Sequence, residues 1–295
     1  MAATAAKRFT SRTEKRRRLN RSLGGNIVMF LCIALLGCFM ALPLVYAAGN
    51  AFKPLNELWI FPPHLFAKHP TLRNFTDLFS LLQNSWVPIT RYFFNTFYIT
   101  CAGTAGQVIL ASACAYPLAK HKFPGHLFLF RLIVLSLMFS QVVTAIPNYL
   151  IMSALGWIDS YQAVIVPAMG STLGLYLIKQ TIETLPDSIL EAAKIDGASE
   201  YKIYWQIVMP NVKAAWLTLI VFSVQMLWNT NASVFIYSEQ LKTLPYAIGQ
   251  IMAGGIARAG VGSAVTVLMM LVPVGVFIFS QSSIVETMAS SGMKE

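Results

Sequence analysis

Charge-free apolar stretches of membrane-crossing length recur six times along the chain. They run approximately from Asn26 to Ala48, Tyr92 to Ala119, Leu132 to Met152, Tyr161 to Ile178, Ala214 to Ile236, and Val261 to Ile284. A hydrocarbon core of about 30 Å takes roughly 20 helical residues, so each stretch predicts one helix through a bilayer. The expected fold is therefore all-α, a polytopic membrane protein with six transmembrane helices. Pro43, Pro117, Pro147, Pro167 and Pro273 lie in or beside these stretches, with Gly103, Gly106, Gly170 and Gly174 among the apolar residues. A packed helical bundle accounts for kinks and small residues alike.

Composition agrees with the pattern. Of 295 residues, 56% are hydrophobic and 12% charged, about half the charged share of a soluble domain. The charge is also segregated: eight of the 22 Lys and Arg fall between Lys7 and Arg21, where Glu14 is the only acid. Such a tail can be a solvated arm or a nucleic-acid grip, but this one runs straight into an apolar stretch and is expected to fix membrane orientation, with no nucleic-acid partner. With the N-terminus inside, cytoplasmic segments carry 16 Lys and Arg and outer segments 6. Both termini are thus expected to be cytoplasmic. The first stretch could be a cleaved signal peptide; its apolar length and the five stretches that follow favour a span.

The candidate chemistry narrows the class. Cys32, Cys38, Cys101 and Cys114 sit within apolar stretches and read as small buried hydrophobes, and the four histidines lack carboxylates at metal-ligand spacing, so no metal is expected. No phosphate-binding Gly-x-x-x-x-Gly-Lys-Ser/Thr loop, Gly-x-Ser-x-Gly or His-Glu-x-x-His occurs, so the chain is not expected to be an enzyme or to hydrolyse ATP itself. None of the six stretches holds an Asp, Glu, Lys or Arg in its interior. Ion-coupled transporters place such groups near the midplane, so the driving force is expected from outside the membrane.

The polar segment between the fourth and fifth stretches is the most patterned. Ser188 and Glu191 are spaced as a capping box for a short helix through Ala192 and Ala193, Gly197 can turn the chain, and a second helix is expected from about Ala198 to Val208, ending before Pro210. Ala198, Tyr201, Trp205 and Val208 then share one face. That stripe suits packing on the bundle, or lying at the lipid surface.

Glu191, Ala192, Ala193, Gly197, Ile207 and Pro210 keep every spacing of the EAA loop of ATP-binding-cassette importer permeases, with Met209 where that pattern has Leu. The chain is identified by this resemblance as such a permease. Asp196-Gly197-Ala198, Ile146-Pro147-Asn148-Tyr149-Leu150, Leu155-Gly156-Trp157, Phe94-Asn95-Thr96 and Trp228-Asn229 resemble the carbohydrate branch, in particular the smaller maltose-type subunit; the ending Gly292-Met293-Lys294 is similar to that subunit's Gly-x-Lys terminus. The likeness covers residues from about 25 onward.

The resemblance implies a type I importer. Residues 1–24 would be a basic cytoplasmic tail, 25–285 a six-helix membrane domain with the coupling loop at about 183–213, and 286–295 a cytoplasmic tail. The coupling set would be Glu191, Ala192, Ala193, Asp196, Gly197, Tyr201, Trp205, Ile207 and Pro210, docking on an ATPase. Asn95, Trp228 and Asn229 would line the solute path. Implied partners are a second permease subunit of different sequence, two ATPases that hold the ATP and Mg, an external substrate-binding protein, and the lipid of a bacterial inner membrane; no cofactor is expected on this chain. The cargo would be a sugar or oligosaccharide, with another solute as the alternative and a secondary transporter or channel as the more distant one.

Overall fold

Backbone N–H and C=O groups in hydrocarbon must pair within the chain, and in the computed structural model nearly every apolar stretch does so as helix. The structure describes residues 23–83 and 87–291. The basic tail through Arg21 and the Gly292-Met293-Lys294 ending lie outside the described residues. In chain order the helices are α1 (Leu23–Ala51), α2 (Leu55–Leu58), α3 (Arg73–Gln83), α4 (Ile89–Lys120), α5 (His126–Ser136), α6 (Gln141–Ala154), α7 (Gln162–Met169), α8 (Thr172–Glu183), α9 (Asp187–Ile195), α10 (Glu200–Ile203), a π-helical turn over Tyr204–Val208, α11 (Met209–Asn211), α12 (Lys213–Trp228), α13 (Leu244–Met252) and α14 (Ala259–Ser291). No strand occurs among the described residues.

The chain divides after Tyr46 into two units. Most of α1 belongs to the first. The second, residues 47–295, is organised around α4, which packs along α8, α12 and α7, while α12 also packs on α14 and α14 on α3. At Gly174 an added Cβ would fall 2.7 Å from Leu219 Cδ1. Leu219 is itself buried, so a side chain at 174 would have to displace it where α8 and α12 meet closely. Thr104 and Ser223 join α4 to α12 by hydroxyl contact at 3.0 Å, and the Ser223 hydroxyl donates to Gln107 Oε1.

Helices long and apolar enough to cross a membrane are Gly24–Ala51, Ile89–Lys120, α7 and α8 taken together as Gln162–Glu183, and Ala259–Ser282, and Glu200–Asn211 with Lys213–Trp228 form a further pair bent by 76°. Two expected spans are revised. The third is not one helix from Leu132 to Met152: it breaks between Ser136 and Gln141, where Leu137, Met138 and Phe139 make three-residue turns and the Ser140 hydroxyl accepts from Val142 N–H to start α6 afresh. A serine offers the backbone this alternative partner. The fifth stops at Trp228, short of Ile236: Thr230 N–H falls back to Leu227 O in a three-residue turn, while the Asn229 and Thr230 side chains bond the carbonyls of Gln225 and Met226. The four cysteines are exposed on the chain's surface, correcting the expectation of burial; an apolar stretch facing lipid or another subunit is not a buried one.

Candidate functional site

The Glu-Ala-Ala…Gly spacing becomes physical at the end of α9. Gly197 adopts φ +77, Gly197 N–H bonds Lys194 O at 3.0 Å and Ala198 N–H bonds Ala193 O at 3.0 Å. These are the paired bonds of a left-handed helix terminus, which satisfy carbonyls the helix leaves open. Ala193 supplies one of them and is also buried against the bundle, whereas Glu191, Ala192 and Asp196 face solvent.

The helix starts differ from expectation. α9 begins at Asp187 behind the extended Pro186 with no side-chain cap, so the Ser188–Glu191 capping box does not form. Ser199 caps the second helix, accepting from Lys202 N–H at the head of α10. The second arm also runs through Pro210 to Asn211. Pro210 lacks an N–H and its ring would crowd the carbonyl four residues back; a π turn over Tyr204–Val208, with Met209 N–H bonding Tyr204 O, widens the helix just ahead of it. The expected stripe does not form, because Ala198 precedes the helix and the widening shifts Val208 relative to Tyr201. Val208 and Ile203 are fully buried and Tyr204 nearly so, Ile207 packs at the edge of the same cluster, and Tyr201 and Trp205 turn outward.

What remains outside is an apolar tip on a charged hairpin. Ile195 is 87% exposed and Tyr201 75% exposed, on either side of Gly197, with Glu191, Lys194, Asp196, Glu200 and Lys202 around them. Trp205 is 41% exposed, edge-on to Tyr204 at 5.0 Å between centroids, and with Pro210 it also borders an apolar cavity of about 780 Å³ between α4 and α12.

The hairpin is fastened to α4. The Tyr116 hydroxyl donates to Glu200 Oε2 at 2.8 Å, Lys194 Nζ stands 2.7 Å from Glu200 Oε1, and Lys120 Nζ bonds Leu185 O at 2.6 Å and Asp187 Oδ1 at 2.7 Å. The Lys194 ammonium, then the Tyr116 hydroxyl, hold Glu200's carboxyl below the usual carboxylate range. A group whose pKa is depressed on folding contributes above its unfolded pKa and loses that contribution as pH falls through the folded one. This tie therefore persists at all pH values above the ordinary carboxylate range.

The residues expected to line a path divide. Asn95 is fully buried, donating to Gln240 O at 2.8 Å and Lys242 O at 2.9 Å and accepting from the Tyr161 hydroxyl at 2.7 Å. Trp228 is buried too, its indole N–H on Met269 O at 3.0 Å. Both spend their polar groups on the bundle. Asn229 alone is exposed, in a hollow of about 480 Å³ with Gln225, Pro245, Thr266 and Met269. Gln225, Thr266, Ser112, Tyr116 and Glu200 were missed from sequence; for the first two only tertiary exposure marks them, whereas Ser112, Tyr116 and Lys120 are legible as polar residues four apart at the end of an apolar stretch.

The Asn95 contacts carry a prediction. Asn95→Ala leaves Lys242 O and the Tyr161 hydroxyl without this partner, while Gln240 O keeps its bond from Arg91 Nε; the cost is on the order of 2 kcal/mol, and the purified permease is expected to melt several degrees lower. Weaker solute affinity with an unchanged melting temperature would return Asn95 to the path.

The chain is thus a helical membrane protein that carries a backbone-closed hairpin with an exposed apolar tip. Residues 107–289 match the family described as binding-protein-dependent transport system inner membrane component, and the chain belongs to that family. It is 33% identical over 204 residues to Protein LplC of Bacillus subtilis, covering 68% of this chain and 66% of that protein. It is 26% identical over 270 residues to the galactooligosaccharides transport system permease protein GanQ of the same organism, covering 90% and 94%. A third relative is the sn-glycerol-3-phosphate transport system permease protein UgpE of Yersinia enterocolitica, 32% identical over 183 residues, 62% of this chain and 61% of that one. The fold is similar to a chain of a bacterial ABC transporter involved in import of the polysaccharide alginate, with a TM-score of 0.74 at 20% identity over 90% of this chain and 99% of that chain.

Proposed function

We propose that this chain is the permease subunit of an ATP-driven importer that moves a sugar or oligosaccharide inward through a bacterial inner membrane. A second permease of different sequence completes the path, two ATPases hold ATP and Mg, and an external binding protein delivers the solute. The observation that carries this reading is the hairpin: a short helix closed on Gly197 with Ile195 and Tyr201 outward is a rigid lever end, and a rigid end transmits a rotation that a loose loop would absorb. Support for a sugar comes from GanQ's cargo and from the hollow beside Asn229, whose lining includes the uncharged polar Gln225, Asn229 and Thr266 and no Lys or Arg. A neutral hydroxylated solute suits that lining better than a phosphate ester. Each turnover is a population shift, since ATP and the loaded binding protein favour different openings.

The test is reconstitution of the two permeases in vesicles with and without the ATPases. Concentrative uptake is expected only with ATPases, ATP and binding protein, and uptake from the permeases alone would contradict the proposal. Orientation is tested by an impermeant maleimide on intact cells of a Cys-free background. Phe61→Cys, at a position 91% exposed, is expected to label from outside and Ile195→Cys only after the cells are opened. Labelling of position 195 in intact cells would overturn the orientation.

A further inference from the structure

Ser112, Tyr116 and Lys120 stand four residues apart, which puts them on one edge of α4. Each holds a different part of the hairpin segment. The Ser112 hydroxyl donates to Val108 O, so the contact at 2.6 Å with Tyr204 is made by the Tyr204 hydroxyl donating to Ser112 Oγ. Tyr116 takes Glu200, and Lys120 takes Leu185 O and Asp187. Ser112 is fully buried and Tyr116 and Tyr204 nearly so, while the Lys120 side chain is 8% exposed. His121, next along the chain, stands 3.6 Å from Glu200. Among the described residues, every side-chain hydrogen bond or ion pair that leaves the hairpin between Asp187 and Val208 for a membrane helix ends on α4.

The apolar contacts are less selective. Leu190, Ala193, Ile203 and Val208 pack in one cluster with residues of α4, α8 and α12 together. Apolar packing is non-directional and lets surfaces slide, whereas three hydrogen-bonded anchors along about 12 Å of one helix edge fix both position and angle.

We propose that the Ser112–Tyr116–Lys120 edge is the transmission contact of the permease, a strut that makes the hairpin and α4 one rigid body, so that motion imposed on the hairpin tilts α4 along its length. This rests on the coupling role proposed above and names the helix that receives the motion. α4 is suited to that role because it packs on α7, α8 and α12, and tilting it moves the second unit's central element. Ser112, Tyr116 and Tyr204 are positioning residues in this scheme; none meets solute or nucleotide.

The experiment uses the full complex of permeases, ATPases and binding protein in nanodiscs, with Cys32, Cys38, Cys101 and Cys114 replaced and Thr90→Cys placed on the exposed first turn of α4, at the end opposite the strut. The maleimide labelling rate at position 90 is compared without nucleotide and with ATP and vanadate. The parent is expected to change rate about threefold or more between the two states, as a population shift requires. Tyr116→Phe with Tyr204→Phe keeps both rings in the apolar cluster and removes two of the anchors; it is expected to retain its ATPases at the parent level and to lose the change in rate. If the double variant sheds ATPase, the single Tyr116→Phe is judged by the same comparison. A nucleotide-dependent change as large as the parent's in a variant that retains ATPase overturns the strut. So does a parent that binds ATPase yet shows no change at position 90. A parent that binds no ATPase overturns the coupling reading itself.

Discussion

Gly197→Val is expected to leave the permease in the membrane at near its normal level while lowering the ATPase retained with it about tenfold or more. The cause is confined to the residue's own backbone. At φ +77 a side chain crowds the following carbonyl, costing roughly 1–2 kcal/mol for an ordinary residue and more for a β-branched one. Nothing else lies within 4 Å of a Cβ added there, so neighbouring contacts do not contribute. Relief requires a turn of φ to negative values, which breaks the bonds from Gly197 N–H and Ala198 N–H to Lys194 O and Ala193 O. α10 then leaves α9 at another angle. About 1.4 kcal/mol is a factor of ten in a binding equilibrium, and a tip presented in the wrong pose loses at least that much. The bundle is spared because Gly197 is exposed. Asn, which tolerates left-handed backbone, is expected to fall between Gly and Val. The measurement is ATPase copurified per membrane permease across the Gly, Asn and Val series; a valine variant that holds as much ATPase as the parent would show that the turn does not set the docking pose.

That turn was legible because its signal is local. Ala193 and Gly197 are separated by the interval a left-handed helix terminus needs, and no distant contact is required to impose it. Signals that compete locally were harder to rank. Ser188 and Ser199 each stand at cap spacing before a helix-like run; Pro186, which sets the chain extended just before Asp187, starts α9 ahead of Ser188, whereas Ser199 does cap α10. Pro210 read as a stop because a proline ends an α-helix; it does not end one that has already widened to a π turn. The face through Ala198, Tyr201, Trp205 and Val208 failed twice over: Ala198 lies before the helix, which starts only at Glu200, and a stripe at 100° per residue drifts once the π turn takes an extra residue ahead of Val208. Membrane spans were recognised by composition, but the break at Ser140 rests on one hydroxyl choosing a backbone partner, which composition does not reveal. Asn95 marks the further limit. Its partners at Gln240 and Lys242 lie about 145 residues away in sequence, and without that pairing a polar residue in an apolar helix reads equally as a solute contact or a bundle clamp.

Removing the apolar tip should separate docking from folding more sharply than the turn does. Tyr201→Ala is expected to leave the insertion and thermal stability of the permease unchanged and to lower ATPase retention about 30-fold, the equivalent of roughly 2 kcal/mol for a central aromatic contact. The stability half follows from exposure: Tyr201 is 75% exposed, with its ring set against that of Trp205 at 6.3 Å between centroids. Little apolar surface within the chain is lost by truncating it. The docking half follows from the same number, since an exposed Tyr beside an 87% exposed Ile195 at the end of a charged hairpin gains most from burial when a partner covers both. Trp205 is the poorer probe. Its ring faces Tyr204 and the cavity between α4 and α12, so Trp205→Ala is expected to reduce both ATPase retention and stability, with neither loss diagnostic alone. Tyr201→Phe is expected to retain ATPase to within about threefold of the parent, because the ring supplies the buried area and the hydroxyl only a rim contact. Thermal unfolding and copurification are measured on the same preparations. Tyr201→Ala that keeps its ATPase would move the docking surface off the hairpin tip, and Tyr201→Ala that loses stability along with ATPase would make Tyr201 part of the bundle rather than of the interface.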